Sequence, residues 1–180
     1  MRIIAGSARG RRLKAPPGLD TRPMMDRAKE AVFSGLGERV VGSVVLDVYA
    51  GSGALGLEAL SRGAAAATFV EWGREARGAL ADNLRAVGLG GDVVAAKVED
   101  YLVRSGPPVD LVFVDPPYAL ALPAVEQVLS LLLSRLAPGA VVVVHRRSGS
   151  GVPLPPAGLV VEWQRTYGDA EITRLVKEER

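Results

Sequence analysis

The chain has no cysteine and only one histidine, His145, among its 180 residues. Without thiols it forms no disulfide, runs no thiol chemistry and lacks the ligands of most zinc sites. The same scarcity leaves no obvious redox equipment. No uncharged apolar stretch reaches the roughly eighteen residues that a membrane helix needs. The opening residues, Met1 to Gly6, soon meet a run of arginines and lack the apolar core of a signal peptide, so a cytoplasmic location is expected. Charge of one sign is also missing in bulk: the net charge is +2, and a pI near 9.1 says little by itself. What the chain does have is 48% hydrophobic residues, enough for one sizeable core with a short appendage.

Asp115-Pro116-Pro117-Tyr118 follows the apolar run Leu111-Val112-Phe113-Val114. Its chemistry suits the methylation of an amino group on a nucleobase. An exocyclic base nitrogen is a poor nucleophile, because its lone pair is delocalised into the ring, so it has to be held and polarised. The Asp115 carboxylate can accept one N–H, and a carbonyl freed by the proline-rigid turn can accept the other. The Tyr118 ring can stack on a base drawn out of its helix, which offsets an unstacking cost of roughly a few kcal/mol. The plainer reading is an ordinary strand-to-helix turn stiffened by two prolines. The motif alone leaves both open.

A second motif lies upstream. After Val44-Val45-Leu46 comes Asp47-Val48-Tyr49-Ala50-Gly51-Ser52-Gly53-Ala54-Leu55-Gly56, which leads into the helix-like Leu57-Glu58-Ala59-Leu60. A buried strand feeding a glycine turn that opens a helix lets backbone approach a ligand and offers unpaired N–H groups. Gly51, Gly53 and Gly56 satisfy the dinucleotide fingerprint, and Glu71 ends a second apolar strand where it can bind ribose hydroxyls. A dinucleotide oxidoreductase therefore has to be weighed. Asp47 argues for S-adenosylmethionine instead: four residues before Gly51, it places a carboxylate where a cationic methionine moiety fits and a pyrophosphate is repelled.

Residues 1 to 29 carry Arg2, Arg9, Arg11, Arg12, Lys14, Arg22, Arg27 and Lys29 against Asp20 and Asp26. Taken alone, such a run is a solvated tail. Beside a base-amine motif it reads as a basic arm that meets nucleic-acid phosphates. Ile3-Ile4-Ala5 and Arg12-Leu13-Lys14 are expected to pair as a small hairpin ended by Pro16-Pro17-Gly18. A helix is expected from Met24 to Leu36, with Gly37 as its cap. Strands are predicted at 44–48, 67–71, 93–97, 110–115 and 140–145, and helical patterns at 54–62, 74–87, 98–104 and 122–136. A hairpin of two more strands, 159–166 and 171–177, turns around Gly168-Asp169. Alternation of strand and helix implies a parallel sheet covered on both faces, with ligands at the carboxyl ends of its strands, where Asp47, Glu71 and Asp115 all lie.

Arg2-Ile3-Ile4-Ala5-Gly6, Arg9-Gly10-Arg11-Arg12-Leu13, Arg22-Pro23, Asp26-Arg27, Glu30 and Phe33 form one set of motifs; Asp47, the stretch from Ala50 to Gly63, and Phe113-Val114-Asp115-Pro116-Pro117-Tyr118 form another. Together they resemble the bacterial RsmD-type methyltransferases over nearly the whole chain. The glycine turn is shared by many methyltransferases, whereas the arm is far more specific. The resemblance implies a Rossmann-like class I S-adenosylmethionine-dependent methyltransferase fold, α/β, with a mostly parallel seven-stranded sheet. It divides the chain into a basic N-terminal arm, hairpin plus helix, over 1–37 and the cofactor-binding domain over 38–180. The implied activity is methyl transfer to the N2 amine of one guanine in small-subunit (16S) ribosomal RNA, without a metal.

The implied roles follow the motifs. Gly51 and Gly53 pass under the cofactor with Ala50 and Ser52 in the same turn, Asp47 lies at its methionine end, Glu71 accepts from its ribose, and Trp72 packs on its adenine. Val98 supplies a backbone N–H and apolar contact, since Lys97 is a poor acceptor there. Tyr49 is counted with the pocket, although core packing explains it as well. Asp115, counted with the cofactor-binding residues as well, and the Pro116 carbonyl orient the guanine amine, Pro117 stiffens the turn and Tyr118 stacks. Arg9, Arg11, Arg12, Lys14, Arg22 and Arg27 meet RNA phosphates. Glu99 and Asp100 are left to a solvated helix start, and Arg74, Arg77 and Arg85 to a solvated helix face. His145 is read as structural or solvent-facing. Met24-Met25 stand where the family usually has small hydroxyl residues, so any contact those make is absent here.

The expected partner is ribosomal RNA, with a preassembled small-subunit particle supplying part of the specificity, and a monomer is favoured. The nearest rival is a DNA amino methyltransferase acting on adenine or cytosine, for which the chain leaves little room for a target-recognition region. A noncatalytic RNA-binding module and the dinucleotide oxidoreductase follow.

Overall fold

The protein, described here by a computed structural model, is placed for residues 1–16 and 26–179. Arg22, Met24 and Met25 therefore lie outside the described residues. The elements run α1 (Asp26–Leu36), β1 (Val44–Val48), α2 (Ala54–Ser61), β2 (Ala66–Val70), α3 (Arg74–Val87) and β3 (Asp92–Val94). They continue as α4 (Val98–Leu102), β4 (Val109–Val114), α5 (Leu122–Leu132), β5 (Leu136–Arg147), β6 (Leu159–Tyr167) and β7 (Ala170–Lys177). The seven strands form one sheet in the order β3-β2-β1-β4-β5-β7-β6. Strands β1 to β5 are parallel, β7 runs antiparallel to β5, and β6 runs antiparallel to β7.

The inner strands are runs of Val, Leu and Phe because both their faces are covered. Alternate residues divide between two cores. Val45, Phe69, Phe113, Val141 and Val143 pack with α1, α2 and α3, whereas Leu46, Val70, Val112, Val142 and Val144 pack with α4 and α5. Asp47 pairs in register with Phe69 and Phe113, which puts a carboxylate between two phenylalanines. From β1 the chain builds outward to β3 and then returns to place β4 on the other side of β1. This reversal opens a crevice at the carboxyl ends of β1 and β4, the place where open sheets of this kind bind ligands.

The N-terminal segment is clamped to α2 by polar contacts. Glu58, fully buried, accepts the Ile4 and Ala5 N–H groups at 2.8 and 3.0 Å, pairs with buried Lys29 at 3.1 Å and takes Arg62 at 2.8 Å. Lys29 also donates to the Arg2 carbonyl at 2.6 Å, so it belongs to this interior network and not to an exposed basic arm. The hairpin is shorter than expected and shifted in register. Arg2 pairs with Arg12 in a single bridge, because the Ile4 and Ala5 amides turn to Glu58 instead of extending a ladder. Gly6 sits at φ +84°, and a Cβ there would lie 1.7 Å from the Ser61 carbonyl oxygen. Gly6→Ala is accordingly expected to lower the thermal midpoint in calorimetry and to loosen the segment, since backbone cannot yield as a flexible side chain can.

Other boundaries differ from the pattern, β3 ending at Val94 and α4 at Leu102 where 97 and 104 are expected. Helix α5 stops at Leu132 and a short 3₁₀ turn carries the chain to Arg135. Strand β5 begins at Leu136, ahead of Pro138-Gly139. The pattern places 137–139 between helix and strand, yet the stretch forms a bulge: Leu136 pairs with Val109, and the ladder resumes at Val141 with Leu111. Among the described residues no helix is long and apolar enough to cross a membrane.

Candidate active site

A cavity of about 520 Å³ opens at the carboxyl ends of β1, β2 and β4, and Asp47, Glu71 and Asp115 all line it. Its floor is the turn between β1 and α2. Tyr49 there holds a left-handed backbone at φ 60° and Gly51 follows at φ 57°, conformations that only a well-determined surround maintains for a tyrosine. Glu71 reaches across from the end of β2. Its Oε2 accepts the Gly51 N–H at 2.9 Å and its Oε1 accepts the Gly73 N–H at 2.6 Å. A carboxylate has about four acceptor positions, so Glu71 can shape the turn and still accept hydroxyl donors. Gly53 is placed otherwise: it does not line the cavity, and a Cβ on it would meet Leu80 Cδ1 at 2.4 Å.

Asn83, which sequence reasoning passed over, ties this turn to the N-terminal segment. Fully buried on α3, it donates to the Ser52 and Lys14 carbonyls at 2.9 and 3.0 Å and accepts the Lys14 N–H at 2.8 Å. Met1, Ala15 and Pro16 line the cavity as well, so the segment forms part of the wall. An asparagine at helical spacing on α3 carries no signal of this kind in sequence.

Asp47 is buried and its Oδ2 accepts the Gly56 N–H at 2.8 Å. Burial pushes its carboxyl well above the usual carboxylate range; the Gly56 hydrogen bond opposes this, while the neighbouring Asp115 and Glu71 charges add to it. A raised carboxyl binds its proton more tightly in the folded chain, so this contribution to stability is present at low pH and lost as pH rises through the folded value. A cation in the cavity reverses the preference. Asp47→Asn is thus expected to raise the thermal midpoint of the ligand-free protein above neutral pH, by about 2–4 °C per kcal/mol gained. The same variant is expected to weaken binding of a sulfonium ligand about tenfold relative to its neutral thioether counterpart, as calorimetric titration with S-adenosylmethionine and S-adenosylhomocysteine would show.

Asp115 follows directly on β4. Because Val114 pairs with Val144, the next residues, Asp115 and His145, face each other across the strand pair. His145 Nδ1 lies 2.7 Å from Asp115 Oδ1, and the Tyr118 ring stands edge-on to the imidazole at 6.1 Å. The histidine side chain is 2% exposed and the aspartate 31%, so His145 is interior and does not face solvent as one expectation had it. Burial holds the imidazole pKa down, but the Asp115 charge and hydrogen bond, with Asp169 adding, leave it raised. The sequence signal that could have found it is position: the residue ending the strand beside β4 adjoins whatever follows β4. Pro116 is buried, whereas Pro117 is exposed and Tyr118 half-buried.

The remaining candidates divide. Ala50, Ser52 and Tyr49 line the cavity, and the Tyr49 hydroxyl donates to Glu99 Oε1 at 3.1 Å, which gives Glu99 a role the helix start alone did not. Burial and then the Glu99 charge raise the phenol. Trp72 is 61% exposed and Val98 is in the core; neither lines the cavity. Arg9, Arg11, Arg12, Lys14 and Arg27 are exposed. Lys14 pairs with Asp82 at 2.8 Å and Arg11 donates to the Ala86 carbonyl at 3.3 Å. Arg85 is exposed and Arg77 half-buried, in keeping with a solvated helix face, whereas exposed Arg74 lines the cavity.

A parallel sheet of this strand order, with an antiparallel β7 and a glycine turn and acids at its carboxyl ends, is the fold of class I S-adenosylmethionine-dependent methyltransferases. The model of the family described as Conserved hypothetical protein 95 matches residues 1–176. The chain belongs to this family, the RsmD-type methyltransferases. It is 39% identical over 171 residues to Ribosomal RNA small subunit methyltransferase D of Escherichia coli, covering 93% of this chain and 85% of that protein. The solved structure of the Escherichia coli yhhF protein superposes with a TM-score of 0.87 at 37% identity, covering 100% of this chain and 99% of that one. A hypothetical protein of Thermus thermophilus gives 0.82 at 35% identity, covering 98% and 99%.

Proposed function

We propose that this chain transfers a methyl group from S-adenosylmethionine to the exocyclic N2 amine of one guanine in small-subunit ribosomal RNA, acting on an assembled particle in the cytoplasm. The observation that carries this reading is the position of Asp115: at the edge of the cavity that Gly51 and Glu71 shape, it has one carboxylate oxygen tied to His145 and the Pro116 carbonyl next in the chain. The name of the Escherichia coli relative supports the substrate class.

The residues present fit the cofactor. Asp47, Glu71, Glu75 and Asp115 outnumber Lys29 and Arg74 around the cavity, which favours a cation; Gly51 brings backbone to its wall, and Glu71 retains acceptor capacity for hydroxyls. When bound, S-adenosylmethionine supplies a methyl group already activated by its sulfonium. The chain's own task is then orientation, which converts a bimolecular encounter into an aligned one. Asp115 and the Pro116 carbonyl accept the two N–H groups of the amine, and Tyr118 stacks on the base. Asp47, Gly51 and Glu71 would hold the cofactor, which would supply the methyl group, and Asp115 Oδ2 would hold the amine through transfer and accept its surplus proton afterwards. Arg9, Arg11, Arg12, Lys14, Arg22 and Arg27 engage phosphates, and a short arm of this kind leaves part of the specificity to the particle.

The test is transfer of labelled methyl to naked ribosomal RNA, partly assembled small subunits and genomic DNA from a strain lacking the gene, followed by digestion to nucleosides. N2-methylguanosine from the subunit fraction is the expected product. N6-methyladenine or N4-methylcytosine from DNA would replace the substrate, equal transfer to naked RNA would remove the particle, and cofactor binding without transfer would leave a binding module.

A further inference from the structure

We propose that His145 is a positioning residue for this transfer: its Nδ1–H, donated to Asp115 Oδ1, fixes the carboxylate so that Oδ2 meets the acceptor amine. The inference rests on the function proposed above. A carboxylate oxygen only accepts, so the 2.7 Å contact puts the proton on Nδ1. The opposite nitrogen, Nε2, is buried and has no hydrogen-bond partner among the described residues. A buried polar atom left unpaired costs stability, and an aliphatic side chain would fill the same interior place at the end of β5 without that cost. The imidazole therefore answers to Asp115 and not to the core.

The surroundings make it a rigid brace. His145 is held in the ladder with β7, opposite Ile172, and the Tyr118 ring stands edge-on against it. Asp115, by contrast, lies at the cavity with 31% of its side chain exposed, where an unbraced carboxylate can turn among its rotamers. Misplacing a reacting group by about 1 Å can cost roughly 10²-fold in rate. The brace also links base and motif, since the ring that stacks on the base is the one that touches the histidine.

Because His145 is the sole histidine of the chain, its imidazole signals are unambiguous in nitrogen-15 NMR. The expected spectrum is a ring protonated at Nδ1 with a downfield, carboxylate-bonded proton that disappears in Asp115→Ala. In single-turnover and steady-state assays, His145→Ala is expected to lower kcat about 10- to 100-fold, with KM for the subunit particle and Kd for S-adenosylmethionine within about threefold of wild type. His145→Asn, whose amide N–H replaces Nδ1–H, is expected to recover most of kcat, which also separates positioning from loss of fold. A ring protonated at Nε2 alone, an unchanged kcat in His145→Ala, or an asparagine variant as poor as the alanine would overturn the positioning role. Wild-type protein that transfers no methyl group would instead overturn the function on which it rests.

Discussion

Asp115→Ala is expected to lower methyl transfer by about 10²- to 10⁴-fold while S-adenosylmethionine affinity stays within about threefold of wild type. The asymmetry comes from geometry. Glu71 holds the Gly51 and Gly73 amides, and Asp47 the Gly56 amide, so the turn that floors the cavity keeps its shape when Asp115 is removed. What disappears is the proposed acceptor for the amine and the fixed partner of His145. A small opposing effect is built in. Asp115 is one of the charges that raise the Asp47 carboxyl, so its removal lets Asp47 ionise more readily and offsets part of the lost attraction for a cation. Single-turnover transfer and calorimetric binding on the same preparation separate the two quantities. A loss of binding as large as the loss of transfer would mean that Asp115 serves the cofactor and not the base.

Glu58→Ala is expected to destabilise the protein by about 3–5 kcal/mol, since it strands the buried Lys29 ammonium without its counter-charge. At about 2–4 °C per kcal/mol for a domain of this size, the thermal midpoint should fall by roughly 6–20 °C. The damage reaches further than one ion pair. Glu58 also accepts the Ile4 and Ala5 amides and the Arg62 guanidinium, which itself lies over the Phe33 ring. Hydrogen exchange at Ile4 and Ala5 should therefore speed up more than at β1, where ladder bonds are untouched. Glu58→Gln keeps one carbonyl acceptor and should recover part of the loss. Fast exchange spread evenly over the sheet would point to general unfolding in place of release of the N-terminal segment.

Much of the sheet was legible because a parallel strand buried on both faces must be a short apolar run, and runs such as Val44-Val45-Leu46 and Leu111 to Val114 are bounded by turn residues. Where the reading slipped, long-range contacts had outweighed local preference. The pattern places 137–139 between helix and strand, yet pairing with β4 draws the stretch into β5 as a bulge. Ile4-Ala5 reads as strand, yet Glu58 takes its amides. In the site, motif residues with a chemical reason to stand at a fixed spacing were visible; Asn83, whose partners lie 31 and 69 residues away, and His145, whose partner lies 30 away, were not.

The amino-acid order by itself determined the glycine turn, the Asp-Pro-Pro-Tyr, the alternation of strand and helix and the family, because each is a local pattern that the backbone's own periods and turn geometry express. Tertiary structure alone decided which charges are buried, and with what. It made Lys29 and Glu58 an interior pair, raised the Asp47 carboxyl between two phenylalanines, and set His145 against Asp115. Those outcomes depend on cross-strand register and on the loss of solvent, which act across the chain and leave no mark on the spacing of residues along it.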